Sequence, residues 1–347
     1  MSHRIRAAVA ATGLALALSP AVASAATTSK TDVTVMSRNL YLGADIIKLA
    51  SAPDLASEMT QVAALHKMVD ATNFPVRAKA IAKEIKAGKP DLVGLQEVAR
   101  YYRGPDGVHD SQTNATTVLY DWLTILQKEL KAQGLSYKVA VEQTEIDVEV
   151  PSAEGYDLRL KLGNAVLVKT GKDARVKVTK NLKGIFTNQL SVPLKDQTVK
   201  LSRGYAGVDA TVGGKKFRFL DPHAEAYSDA DANGQFQELL KTAAASKKVT
   251  TIMAGDFNSS PEKGTAYKTV IAAGFKDTGV KTDTCCQDED LLNPSSKLGP
   301  GQWIDHVVVR PNAKVVARKV VGNKVSDRVG GLWPSDHAGL IVTLRLK

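Results

Sequence analysis

A carboxylate and a carboxamide stand two residues apart where an apolar run of the chain ends. Asp256 and Asn258 follow residues 249–253, VTTIM, whose β-branched and apolar side chains predict a buried strand. Because extended residues two apart point to the same side, Asp256 and Asn258 can face one site while Phe257 turns into the core. The carboxylate can hold charge, and the amide can donate a hydrogen bond to an anion. An ordinary polar turn would look the same, so the rest of the chain must decide.

Polar residues of this kind recur where other predicted strands end. The first predicted strand runs into Asn39, and the second, otherwise apolar, ends with Glu97. An acid that is buried without a partner costs free energy, so Glu97 calls for a cation. A metal ion is one answer, and a salt bridge to Arg100 or Arg103 is the alternative.

Later strands carry further candidates. His223 follows a predicted hairpin strand, Asp305 interrupts another predicted strand, and the pair Asp336 and His337 precedes the last one. Strand ends on one rim of a sheet can converge, so the ordered set carries more weight than any single residue. The eight candidates are Asn39, Glu97, His223, Asp256, Asn258, Asp305, Asp336 and His337.

The elements that would position these residues are joined partly by helices and partly by hairpins. Helices are predicted over residues 53–69, 74–87, 112–131 and 229–245, strands over 32–37, 91–98, 137–148, 162–169, 203–212, 216–220, 249–253, 303–309 and 340–344, and a polar loop over 151–159. This mixed order predicts a large α/β fold in which two mostly antiparallel sheets pack face to face, with helices outside.

The N-terminus has the pattern of a secretory signal peptide. Arg4 and Arg6 precede an apolar run over residues 7–18, and residues 23–25, ASA, form a small-x-small cleavage site. We therefore predict a signal peptide over residues 1–25, with an uncleaved membrane anchor as the alternative. The remaining residues, 26–347, show no linker or repeat and are expected to form a single domain.

The chain is basic. Without Arg4 and Arg6, 44 basic residues stand against 36 acidic ones, a net charge of about +8. On an exported chain this balance favours an anionic partner, either nucleic acid or acidic lipid, although it could serve solubility alone. Beyond the N-terminus no apolar stretch is long enough to span a bilayer, so we expect a secreted monomer without stable membrane insertion.

Cys285 and Cys286 are the only cysteines and are adjacent. Neighbouring Cα atoms lie about 3.8 Å apart, which is closer than the 4.4 Å or more that a disulfide usually spans. We therefore expect free thiols, with a vicinal disulfide as the rarer alternative.

Six short segments follow one another along the chain in the order SRN, LQEV, PH, GDFN, IDH and SDH. As an ordered set they resemble the endonuclease/exonuclease/phosphatase superfamily, which includes deoxyribonuclease I, neutral sphingomyelinases and inositol polyphosphate phosphatases. The resemblance covers residues 33–344. It implies the deoxyribonuclease I-like fold, a four-layer α/β/β/α sandwich, and metal-dependent hydrolysis of a phosphate ester.

The resemblance also implies roles for the oxygen-bearing residues. Glu97 would be the main metal ligand, helped by Asn39 and Asp336. Such hard oxygen donors suit Mg²⁺ or Mn²⁺. Asp256 would position or deprotonate the attacking water, and Asn258 would hold a phosphate oxygen.

The histidines take their expected roles from the same resemblance. His337 and Asp305 look like the family's His–Asp pair, in which the carboxylate fixes the tautomer of the ring. The general base stays open between Asp256 and His337. His223 would contact the phosphate or protonate the leaving oxygen, and Arg203 would clamp a phosphate oxygen.

The chain departs from the family pattern at two points. The glutamate that partners the first histidine in deoxyribonuclease I has no clear equivalent, and Asp157 and Asn164 are the candidates. Arg100 is a displaced stand-in for a family arginine. His306 alternates away from Asp305 on its strand and is expected to pack in the core. Trp333 is expected to pack in its loop or line the cleft.

These features favour a secreted nuclease that acts on DNA or RNA. The alternative is a sphingomyelinase-type phospholipase C, or a phosphatase of inositol phosphates or phospholipids, from the same superfamily. An exposed aromatic hairpin, which often grips membranes in such enzymes, is not evident in the sequence. A binding module without activity is disfavoured because the set of motif residues is complete.

Overall fold

The computed structural model describes residues 29–105, 113–195, 197–311 and 313–347. The predicted signal peptide, residues 1–25, lies outside the described residues. The strands are β1 (Asp32–Asn39), β2 (Leu92–Gln96), β3 (Arg100–Arg103), β4 (Thr117–Asp121), β5 (Tyr137–Ser152), β6 (Tyr156–Lys169), β7 (Val176–Ile185), β8 (Leu190–Pro193), β9 (Thr198–Leu201), β10 (Gly204–Val212), β11 (Lys215–His223), β12 (Thr250–Asp256), β13 (Lys276–Asp277), β14 (Asp305–Arg310), β15 (Lys314–Val321) and β16 (Gly339–Arg345). The helices are α1 (Leu55–Ala71), α2 (Phe74–Gly88), α3 (Trp122–Ala132), α4 (Asp229–Lys241) and α5 (Thr265–Ala272).

Two large sheets dominate the fold. The first has the order β15-β16-β1-β2-β6-β3-β4, with β5 also paired to β6, and the second has the order β13-β14-β12-β11-β10-β7. Only β1 with β2 and β11 with β12 pair in parallel among the described strands. The prediction of two mostly antiparallel sheets is confirmed.

The sheets pack face to face through alternating apolar residues. Val35 and Val166 of the first sheet belong to the same buried cluster as Val208, Phe219 and Ile252 of the second. Every second residue of a strand points to the same face, so each strand supplies this interface with one half of its side chains.

Helices cover the outer face of each sheet. Val62, Ile81 and Trp122, from α1, α2 and α3, pack on the first sheet, while Phe236 and Val270, from α4 and α5, pack on the second. The result is the predicted four-layer α/β/β/α sandwich. None of the helices in the described ranges combines the length and hydropathy that a membrane span requires.

Two predicted elements are wrong. The polar loop expected at residues 151–159 is instead the end of a long hairpin, in which Ser152 pairs with Tyr156 across a three-residue turn. The helix expected over 112–131 begins only at Trp122, because residues 117–121 directly before it form β4. Asp121 ends that strand and caps the helix by accepting a hydrogen bond from the backbone N–H of Thr124 (3.0 Å).

Candidate active site

Strand register brings the predicted residues of the second sheet into one row. His223, the last residue of β11, pairs with Asp256 on β12, and Asp256 pairs with Asp305 on β14. In the first sheet, β1 ends at Asn39, and Glu97 directly follows the end of β2. The functional side chains therefore lie at strand ends because adjacent strands stop at the same level.

Asn39 joins the two sheets at this edge. Its side-chain amide donates to Asp256 Oδ2 (3.1 Å) and to Glu97 Oε1 (3.3 Å). A cleft of about 330 Å³ opens there. The predicted residues that line it are Glu97, Arg203, His223, Asp256, Asn258, Asp336 and His337. Asn39 and Asp305 lie buried directly behind this lining and are bonded to it.

Glu97 is held by amide groups. Its Oε2 accepts a hydrogen bond from the backbone N–H of Leu42 (2.7 Å), in addition to the bond from Asn39. Arg100, considered as a salt-bridge partner, pairs with two other acids, and the Arg103 guanidinium lies over an aromatic ring. The salt-bridge alternative for Glu97 is therefore not realised.

His337 and Asp305 form a buried pair. Nδ1 of His337 lies 2.8 Å from Asp305 Oδ2, and Nε2 lies 3.7 Å from Asp256 Oδ2. Burial by itself would lower the pKa of His337, but the carboxylates of Asp305, Asp336 and Asp256 outweigh it and raise that pKa well above its ordinary value. Burial, aided by the charge of Asp305, raises the pKa of Asp256 to about 7.

Arg203 and Asp256 both lie beside His223, and Asp256 Oδ2 is 3.8 Å from its Nε2. Nη1 of Arg203 lies 3.3 Å from Nε2 and 3.4 Å from Nδ1 of the ring, and Nε of Arg203 lies 3.5 Å from Glu225 Oε2. Burial and the neighbouring cations Arg203 and His337 lower the pKa of His223 well below its ordinary value. His223 is therefore set to be neutral, which disfavours it as a proton donor in the imidazolium form.

Asp157 and Asn164 were the two candidates for the partner of His223. The Asn164 amide donates to the backbone carbonyls of Gly204 (3.5 Å) and Asp221 (3.2 Å). Asp157 lies near the other end of β6, remote from the level at which that strand passes the cleft.

Glu97 and Asp336 suit a hard divalent cation, while the side-chain oxygen of Asn39 accepts a hydrogen bond from the backbone N–H of Tyr41 (2.8 Å). Burial raises the pKa of Asp336 to about 6, and the negative charge of Glu97 adds to this shift. Two acids that repel each other in a buried cleft are stabilised by a cation, and carboxylate and amide oxygens are donors that Mg²⁺ and Mn²⁺ accept. Donor atoms of a second group, Asp256, Asp305 and His337, also lie within 4.8 Å of one another. The choice of Glu97, Asn39 and Asp336 as ligands stays a prediction.

Three cleft residues have left-handed backbone. Tyr41, Glu97 and Asn258 have φ values of 57°, 53° and 47°. Side chains other than glycine adopt this region at a cost, and such residues concentrate at functional sites. Here the conformation turns each chain segment at the point where its strand leaves the sheet.

The local orientations expected around Asp256 are present. Asn258 lines the cleft and donates to the carbonyl of Ala224 (2.9 Å), whereas Phe257 is fully buried. His306 is buried in the core as predicted, between the side chain of Asp277 and a backbone carbonyl. Trp333 is packed in its loop.

Cys285 and Cys286 are joined by a disulfide and line the cleft. The expectation of free thiols is wrong, and the vicinal bridge that was its alternative is what the structure contains.

Sequence reasoning missed Glu145. It sits at a β-bulge of β5, and the bulge turns it inward, although simple alternation would place it with the exposed Asp147. Burial raises the pKa of Glu145 to about 8, against the opposing effect of the Arg203 cation. No signal in the sequence marks this bulge. Other missed residues at the cleft or next to it are Asp45, Glu225, Tyr227, Gln287 and Glu289.

Solved structures with this fold share little sequence with the chain. A mannosyl-6-phosphatase from Bacteroides thetaiotaomicron is 19% identical, with a TM-score of 0.56, over 90% of this chain and 100% of that one. An endonuclease/exonuclease/phosphatase from Beutenbergia cavernae is 22% identical, with a TM-score of 0.54, over 91% and 72%. Truncated TDP2 from Caenorhabditis elegans is 20% identical, with a TM-score of 0.50, over 91% and 98%. At these identities the likeness shows a shared fold.

Comparison of sequences gives the family. No curated protein matches the chain. The model of the Endonuclease/Exonuclease/phosphatase family matches residues 68–337, well over half of the 347 residues. The matched range contains seven of the eight strand-end candidates, and Asn39 alone precedes it. The chain therefore belongs to the Endonuclease/Exonuclease/phosphatase family, whose members are phosphoesterases.

Proposed function

We propose that this chain hydrolyses phosphodiester bonds with the help of Mg²⁺ or Mn²⁺. The observation that carries the proposal is the convergence of a buried His337–Asp305 pair with Asp256 on a cleft that also holds Glu97 and Asp336. The His337–Asp305 pair and Asp256 suit proton transfer, whereas Glu97 and Asp336 suit a hard cation.

The chain's own residues divide the work between them. A bound divalent ion would neutralise charge on the phosphate. The attacking water lies between Asp256 and His337, and Asp256 takes its proton as the water oxygen bonds to phosphorus. The ester P–O bond breaks, and the departing oxygen takes a proton from solvent. Arg203 and Asn258 hold phosphate oxygens.

Export is part of the proposal. Residues 1–25 carry the pattern of a secretory signal, and cleavage after Ala25 would release a chain that starts at Ala26. N-terminal sequencing of protein from the culture medium of an expressing bacterium tests this. Protein that stays in the cell pellet and still begins at Met1 would contradict export.

Nucleic acid is the substrate class that the net charge favours. The cleft gives this preference little support, since Arg203 is the only lysine or arginine among the described residues that line it. Its acids include Asp45 and Glu289, beside those proposed for catalysis. A polyanion needs several cationic contacts at once, so the cleft geometry suits an ester that presents a single phosphate.

The metal proposal is tested at Glu97. Glu97→Gln removes the charge but keeps the shape, so we expect kcat to fall by at least about a hundredfold while the fold is retained. Turnover of bis(4-nitrophenyl) phosphate is measured with Mg²⁺, Mn²⁺ and EDTA, and circular dichroism checks the fold. Glu262→Gln, at an exposed loop position, is the matched control and should behave as wild type.

Activity that survives both EDTA and Glu97→Gln would rule out the metal mechanism. Loss of activity in EDTA that is restored by Mn²⁺ but not by Mg²⁺ would keep the mechanism and assign the metal.

A further inference from the structure

An apolar cavity of about 70 Å³ lies next to the catalytic cleft. All of its lining side chains are aliphatic except that of Tyr101, and the Tyr101 hydroxyl is already used, since it donates to the carbonyl of Leu42 (2.7 Å). The cavity thus offers no free polar group among its described lining residues. A ligand would enter it only with a hydrocarbon group.

The cavity and the cleft share a wall. Ala44, Ile46, Ile146 and Leu201 line both of them. Leu201 lies two residues before Arg203 on the same chain segment. The apolar space therefore lies directly beside the proposed phosphate contacts, with these four side chains exposed to both spaces.

A separate hairpin closes the cavity from outside. Strands β8 and β9 form a two-stranded sheet of their own, and Val192, Leu194 and Val199 from this hairpin line the cavity. The hairpin is anchored near its turn, where the backbone N–H of Lys195 donates to Glu58 Oε2 (2.9 Å). An element outside both large sheets thus completes an apolar wall beside the site.

The size of the cavity limits what it can hold. Apolar cavities stay dry, and one of about 150 Å³ binds benzene. A cavity of about 70 Å³ admits less than a benzene ring, which corresponds to a few methylene or methyl groups.

We propose that the cavity takes a hydrocarbon group of the phosphoester substrate, an alkyl or acyl segment that lies within a few bonds of the phosphate. The proposal rests on the phosphodiester hydrolysis proposed above and names the substrate class for the same cleft. The phosphate lies against Arg203 and Asn258, and the hydrocarbon group of the substrate passes between Ile146 and Leu201 into the cavity. Nucleic acid, which lacks such a group, is the competing class.

A homologous series of 4-nitrophenyl alkyl phosphates tests the proposal. The alkyl group runs from methyl through ethyl, propyl and butyl to hexyl, with Mg²⁺ or Mn²⁺ present. Burial of each methylene should raise kcat/KM about fourfold over the first few carbons, after which the gain should stop as the cavity fills. Plasmid DNA and RNA are assayed at the same phosphate concentration.

Val192→Phe fills the cavity from the hairpin side and should flatten the dependence on chain length. Val325→Phe makes the same substitution at an exposed position and should keep the wild-type slope. Where Val192→Phe fails to fold, inhibition of the wild type gives the answer. Butylphosphonate should then inhibit at a concentration at least tenfold lower than methylphosphonate.

The outcomes separate the two proposals. Metal-dependent turnover with equal rates along the series, or equal inhibition by both phosphonates, overturns the cavity assignment and leaves the phosphodiesterase standing. Faster turnover per phosphate of DNA or RNA than of the best alkyl ester also overturns the cavity assignment. Failure to hydrolyse any phosphodiester with either metal overturns both.

Discussion

At the scale of single residues, the site depends on acids that are kept from water beside a histidine. Asp305 is 1% exposed and His337 is 5% exposed, and the bond between them is 2.8 Å long. A carboxylate on Nδ1 fixes the orientation of the ring and leaves Nε2 to face the cleft. The same geometry brings Nε2 of His337 to 3.7 Å from Asp256 Oδ2. The side chains of Asp305, His337 and Asp256 therefore meet at one point of the cleft.

This arrangement predicts that Asp305 and His337 act as a unit. Asp305→Asn and His337→Ala should each lower kcat by about 10² to 10⁴. The first removes the carboxylate that orients the imidazole, and the second removes the imidazole itself. The double variant should be little slower than the slower single one. Steady-state rates on one phosphodiester, with circular dichroism as a check of folding, measure the cycle. Losses that multiply would show that the two side chains act independently.

At the scale of elements, a buried arginine fixes two of the loops that carry the site. Arg77 of α2 donates to the carbonyls of Leu40 (2.6 Å) and Tyr41 (3.1 Å), in the loop after β1. It also donates to the carbonyl of Pro334 (3.2 Å), in the loop that carries His337. One guanidinium therefore sets the distance between two segments that meet at the cleft.

Replacement of Arg77 tests this positioning role. Arg77→Met leaves several buried carbonyls without a donor, at about 1–3 kcal/mol each, so the free energy of unfolding should fall by about 3 kcal/mol or more. Lys314→Met, at an exposed position of β15, should change it by less than about 0.5 kcal/mol. Urea denaturation measures both variants. If the folded fraction of Arg77→Met keeps wild-type kcat and KM, Arg77 supports the fold without positioning the site.

The strand ends were predictable from sequence because their signal is local. A buried strand such as the one before Asp256 shows an apolar, β-branched run, and polar residues directly after it stand out. The long hairpin was harder, because Pro151 and the polar residues after it have the composition of a loop. Pairing with β5 and burial on the sheet hold residues 156–159 in a strand regardless.

Glu145 and the β8–β9 hairpin could not be predicted because their roles depend on tertiary context. A bulge changes the face to which Glu145 points, and no residue type requires a bulge there. Val192 and Val199 look like ordinary strand residues. Only the packed structure shows that they line a space next to the cleft.

At the scale of the whole molecule, the net charge has a structural use away from the cleft. Lys177, Lys180 and Lys183 are exposed on β7, the last strand of the second sheet. Lysines on an outer strand discourage pairing with another chain, so some of the basic charge serves solubility. Among the described residues that line the cleft, Arg203 is the only lysine or arginine.

This distribution predicts a weak dependence on salt for the preferred substrate. A ligand held by Arg203 alone releases about one counterion, so kcat/KM for a butyl ester should fall by only a few-fold between 50 and 200 mM salt. A polymer that contacts six to ten cationic residues would lose about 10³-fold or more over the same range. Rates on 4-nitrophenyl butyl phosphate and on plasmid DNA, at both salt levels and with the metal concentration held constant, measure the difference. The opposite outcome is a steep fall of the DNA rate with salt, together with a DNA rate at low salt above that of the ester. It would mean that basic residues outside the cleft recruit the substrate. The nuclease prediction from the net charge would then be correct, and the assignment of the cavity to a hydrocarbon group would be wrong.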